Sequence, residues 1–102
     1  MTLKLTIRQA EALHNLFREI VNQDPAPDMT ESLVKDLLKP VFRKLEAKLA
    51  ARLKGDGYSI SLTDMEAKAY YLYFNQRYLG ERWRYEQAFI NDQLNLLNKL
   101  YA

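Results

Sequence analysis

Apolar and polar residues alternate over Thr2-Leu3-Lys4-Leu5, and at Thr6 the spacing changes. Ile7, Ala10, Leu13, Leu16, Phe17, Ile20 and Val21 then recur at three and four residues, while Arg8, Glu11, Asn15, Arg18, Glu19 and Asn22 fall between them. Period two followed by period 3.6 predicts a short strand and then an amphipathic helix from about residue 7 to 22. Thr6 is a good N-cap, and Gln9 stands where the return arm of a capping box belongs. Gln23-Asp24-Pro25-Ala26-Pro27 cannot continue a helix, because proline lacks the backbone donor and restricts the residue before it.

Asp28 with Glu31 three residues on, or Thr30 alone, caps the restart of the chain as a second helix. Its expected apolar face is Leu33, Leu37, Leu38, Val41, Phe42, Leu45, Leu49 and Leu53. The period continues through Pro40, which predicts a kink rather than a break. Gly55-Asp56-Gly57 is the expected stop. Tyr58-Ser59-Ile60-Ser61-Leu62 alternates again, and Thr63 with Glu66 makes the better of the two capping boxes. A third helix is expected to about Leu79 and a fourth from Gly80 to the C-terminus. Gly80 either separates these two helices or bends a single long one, since an isolated glycine costs only about 1 kcal/mol relative to alanine.

The pattern repeats at an offset of 57 residues, where Leu5/Leu62, Thr6/Thr63, Ala10/Ala67, Ala12/Ala69 and Phe17/Phe74 are identical. It predicts one mostly α (α+β) domain over 1–102: four helices with a minimal two-stranded ribbon, as two strand-plus-two-helix halves (1–54 and 58–102) from an internal duplication. A lone two-stranded ribbon is marginal in water, so it has to lie on the helices.

A chain of 102 residues is long enough for a real core without disulfides or metal. There is no cysteine, which excludes disulfides and thiolate metal sites and fits a reducing, cytoplasmic setting. No signal-peptide pattern opens the chain, and no apolar run approaches the ~20 residues of a membrane span. The net charge of +2 does not by itself argue for nucleic acid.

The aromatics are unevenly placed. Tyr70, Tyr71, Tyr73, Phe74, Tyr78, Trp83, Tyr85 and Phe89 are eight of the twelve. At about 100° per residue those of the third helix point nearly all round its axis, so either that helix is central or part of its surface faces a partner. Arg77, Arg82 and Arg84 are interleaved. Tyr, Trp and Arg are the types enriched at interface hot spots. The competing readings are tyrosines rimming a helical core and, less favoured, base stacking supported by arginine. The fourth helix has an unusually wide apolar arc: one stripe of Trp83, Ile90, Leu94, Leu97 and Tyr101, and another of Tyr85, Phe89, Leu96 and Leu100. Asn91, Asn95 and Asn98 face away from both.

Basic charge concentrates on the second helix. Lys35, Lys39 and Arg43 form one i, i+4, i+8 row, and Lys44, Lys48 and Arg52 form another. A phosphate-contacting face competes here with the plainer reading, in which a solvated helix covers apolar surface with its Lys and Arg stems. His14 is the single histidine. Glu11 and His14 have the Glu-x-x-His spacing of di-iron bundles, but Lys68 and Tyr71 occupy the matching positions of the second half, so the motif has no second copy. No glycine-rich phosphate loop or catalytic triad is present, and no catalytic, cofactor or metal residue is assigned.

The expected function is therefore a non-enzymatic protein-interaction module, forming a homodimer or docking another protein. Its surface is expected at Tyr70, Tyr71, Tyr73, Arg77 and Tyr78, continued by Arg82, Trp83, Arg84 and Tyr85. The alternative is a nucleic-acid-associated protein using the basic helix. No membrane partner is expected.

Overall fold

The computed structural model describes residues 2–23, 27–51, 57–75 and 77–101, excluding the side chain of residue 101. Strand β1 (Thr2–Leu5) enters helix α1 (Ile7–Leu16), which widens into a π turn over Phe17–Val21. Helix α2 spans Met29–Ala51, strand β2 Tyr58–Ser61 and helix α3 Asp64–Phe74. A 3₁₀ turn at Glu81–Trp83 leads into helix α4, Arg84–Tyr101.

Both predicted capping boxes are formed. Thr6 accepts from the Gln9 backbone while the Gln9 side chain accepts from the Thr6 backbone, and Thr63 and Glu66 do the same. The two caps are nearly superimposable in backbone angle, with φ −66° and ψ 164° at Thr6 against φ −66° and ψ 166° at Thr63. Each threonine therefore turns an extended chain into a helix within one residue, satisfying donors that the first helical turn leaves open.

The strands pair antiparallel, with Thr2 opposite Ser61, Leu3 opposite Ile60, Lys4 opposite Ser59 and Leu5 opposite Tyr58. This register has a two-fold property. At the offset of 57, Leu3 and Ile60 are each other's counterparts, and they pair directly; the Thr2–Ser61 and Lys4–Ser59 pairs exchange under the same shift. Leu3, Leu5, Tyr58 and Ile60 point into the core, while Thr2, Lys4, Ser59 and Ser61 point outward. The ribbon thus lies on the helices, which supply the cover it lacks alone.

The core joins all of these elements, from Leu3 and Leu5 through Leu13, Leu16 and Phe17 to Val41, Leu45, Tyr70, Phe74, Ile90 and Leu97. Helix α3 is its centre. Helix α2 packs antiparallel along it, α4 packs on its other side, and Phe74 stacks on Phe17 of the π turn with ring centroids 6.0 Å apart.

The structure corrects three expectations. Helix α3 stops at Phe74, not near Leu79: Asn75 is extended (φ −64°, ψ 124°), and Arg77 bonds the last-turn carbonyls, its backbone N–H donating to Phe74 and its Nε to Tyr73. Gly80 (φ +98°) then lies in a true connection between two helices. On α2, Leu33 is 60% exposed and its neighbour Val34 is buried, a phase error of one residue. Helix α1 gives way to the π turn after Leu16. Pro40, by contrast, leaves α2 unbroken; it sits on the exposed side, where the carbonyl that loses its donor is open to water. The expected stop at Gly55 and Asp56, with Leu53, lies outside the described residues.

A Cβ on Gly57 would lie 2.3 Å from the Leu5 carbonyl oxygen, so the strands meet at a position that only glycine fits. Gly57→Ala is expected to lower unfolding stability by about 2 kcal/mol or more, read by urea denaturation. Gly80→Ala meets open space and incurs only the cost of its positive φ, about 1 kcal/mol. A Gly57→Ala protein as stable as the parent would contradict this packing.

Candidate functional site

Helix α3 carries four of the eight aromatics to which the sequence drew attention, and the structure divides the whole set. Tyr70, Tyr73 and Trp83 are buried and cannot meet a partner. The aromatics circle α3 because α3 is central, so the reading as a core helix prevails for Tyr70 and Tyr73, and Trp83 joins the same core from the 3₁₀ turn. The Tyr70 hydroxyl donates to Gln93 Oε1 at 2.5 Å inside the core, and burial pushes its ionisation well above the ordinary tyrosine range. It is a neutral structural hydrogen bond between α3 and α4.

Tyr71 and Arg77 are half-buried. The Arg77 guanidinium lies over the Tyr73 ring, 4.1 Å from its centroid, and pairs with Glu31 at the start of α2. It is a clasp between helix ends rather than a free contact residue. Tyr78, Arg82, Arg84 and Tyr85 remain exposed. Arg82 pairs with Glu19 at 2.7 Å and covers the Trp83 ring, and Arg8 sits 4.6 Å from the centre of the Tyr85 ring. The nine residues therefore do not form one surface.

A different surface lies on the outer arc of α3, which the sequence reading passed over. Met65, Lys68 and Leu72 share that arc, and Met65 and Leu72 are 57% and 65% exposed. Leu72 lines two cavities. One, of about 310 Å³, runs between α3 and α4 and is lined by Lys68, Tyr71, Leu72, Leu97 and Asn98. The other, of about 300 Å³, runs between α3 and the start of α2, with Val34, Tyr73 and Arg77 in its wall. Leu72 is thus the ridge between two grooves. The available signal was an apolar pair beside Lys68 on the one arc of α3 that the core does not need.

The basic rows are also separated. Lys44 donates to Glu66 Oε1 at 2.7 Å and to the Ser61 carbonyl at 2.9 Å, and so joins α2 to β2 and to the cap of α3. Its ammonium, a phosphate-contact candidate in the sequence, is thus already engaged within the fold. Lys48 lies on the same flank of α2, half-buried, and Arg52 is outside the described residues. Lys35, Lys39 and Arg43 line the opposite flank, in a groove of about 420 Å³ against Val21 of the π turn and Asn22 just after it. His14 stacks on Phe42, ring centroids 5.0 Å apart, with Nε2 3.2 Å from Glu46 Oε2. No group of three or more His, Cys, Asp or Glu gathers as a metal site among the described residues. No helix of those residues is long and apolar enough to cross a membrane.

Compared with protein-family models, curated proteins and solved structures, the chain matches none.

Glu66 carries the clearest electrostatic consequence. Burial pushes its carboxyl up, but the Lys44 ammonium and the Thr63 backbone N–H together outweigh this and hold it below its ordinary 4.5. A depressed carboxylate stabilises the fold above its unfolded pKa and loses that contribution as pH falls through the folded value. Urea midpoints are expected to drop on acidification below about pH 4.5, more steeply in the parent than in Glu66→Gln. Parallel pH profiles for the two proteins would contradict the role given to this pair.

Proposed function

We propose that the chain is a non-enzymatic interaction module that docks through the outer arc of α3, and that the partner this arc fits is a second copy of itself. The observation that carries this reading is Leu72, a large apolar side chain standing in water between two grooves. Leaving Leu72 and Met65 largely exposed forgoes roughly 1–2 kcal/mol of burial each, which a docked surface would recover. The arc offers a knob beside an apolar recess. A two-fold interface needs this self-complementarity, since the same patch must supply both sides. Lys68 at the rim would keep the face hydrated in the monomer.

The same reading assigns no catalytic group, because the buried polar side chains Glu66 and Gln93 are engaged in structural hydrogen bonds. The two-fold strand register and the matched threonine caps support an internal duplication of 1–54 and 58–102. The cysteine-free composition supports a reducing compartment, the cytoplasm.

Size-exclusion chromatography with light scattering is expected to show a concentration-dependent dimer. Leu72→Glu should weaken it about tenfold or more, as expected for a residue at the centre of an interface. The exposed position of Leu72 leaves the fold intact, which circular dichroism can check. A parent protein that stays monomeric at all concentrations would overturn self-association.

A further inference from the structure

The two halves diverge most beyond their shared phenylalanine. After Phe74 the chain leaves the helix, whereas after Leu16 the matching segment continues as the π turn from Phe17 to Val21. A π turn is a rare widening of a helix and occurs often at functional sites. Here it walls the groove whose other side is α2.

The helices that follow diverge in the same place. At an offset of 56, buried Val34, Leu38 and Val41 of α2 match buried Ile90, Leu94 and Leu97 of α4. In that alignment Lys35, Lys39 and Arg43 face Asn91, Asn95 and Lys99. Three cations thus stand where the matching frame has one, along the wall of this groove. Lys39 also pairs with Asp36 at 3.1 Å, but both are about three-fifths exposed, and such a pair contributes little and exchanges readily.

We propose that this groove is a binding site for single-stranded nucleic acid, with Lys35, Lys39 and Arg43 taking successive phosphates. Residues four apart on a helix rise by ~6 Å, comparable with the spacing of successive phosphates along an extended nucleic-acid strand. The phosphates of a polyphosphate chain, joined through one bridging oxygen, stand much closer. The site lies on the flank of α2 opposite Lys44 and does not depend on the docking arc of α3.

The test is fluorescence anisotropy with a labelled short thymidine oligonucleotide at low salt. Saturable binding is expected, falling about a hundredfold for a tenfold rise in salt, because three contacts to a single strand give a logarithmic slope near −2. K35A/K39A/R43A is expected to lose at least about tenfold in affinity. K39A/R43A, which changes two exposed residues only, serves if the triple variant is unstable. Lys48→Ala and Arg84→Ala should bind as the parent does. No saturable binding, equal binding by the row variants, or inorganic polyphosphate competing as well as the oligonucleotide would each overturn the proposal.

Discussion

The pairing of Leu3 with Ile60 is the constraint on which the remaining arrangement depends. Two strands of four residues each cannot persist alone in water. They persist here because Leu3, Leu5, Tyr58 and Ile60 all face a helical core, and because Gly57 lets the chains approach at the ribbon's end. Each strand passes through a threonine cap into a helix one residue later, so the register of the ribbon fixes where α1 and α3 begin. Once those helices are placed, α2 has a single seat along α3, closed at one end by Lys44–Glu66 and at the other by Arg77–Glu31. The core position of α3, and with it the burial of Tyr70 and Tyr73, follows from that seat.

What the sequence made legible was local. Capping boxes, strand alternation and the apolar phase of α1 from Ala10 onward depend on neighbours within four residues and were readable; Ile7, expected on the same face, is exposed. The end of α3 was not. Tyr78 and Leu79 extend the apolar pattern, and what stops the helix involves Arg77, whose partner Glu31 lies 46 residues away. The one-residue error at Leu33 and Val34 has a similar origin: both lie near the apolar face, and only the packing against α3 selects Val34.

The candidate surfaces show the same limit. Periodicity shows that aromatics surround α3, yet it cannot distinguish a central helix from one that meets a partner. Spacing reveals two basic rows but not which flank each occupies, nor that Lys44 is already engaged by Glu66 and Ser61. Nothing in the sequence marks Leu72, because a lone leucine carries no motif; only its exposure beside two grooves distinguishes it. The regions left open by the core are therefore two, the outer arc of α3 and the groove beside the π turn. They flank α2 on different sides, so one need not exclude the other.

The most direct test of the docking arc is a dilution series followed by amide chemical shifts. Shifts at Lys68, Tyr71, Leu72, Leu97 and Asn98 are expected to move together with concentration, while those of buried Tyr70 and of exposed Tyr78, Arg82 and Arg84 stay fixed. Movement centred on Tyr78, Arg82 and Arg84, with the α3 arc silent, would contradict it.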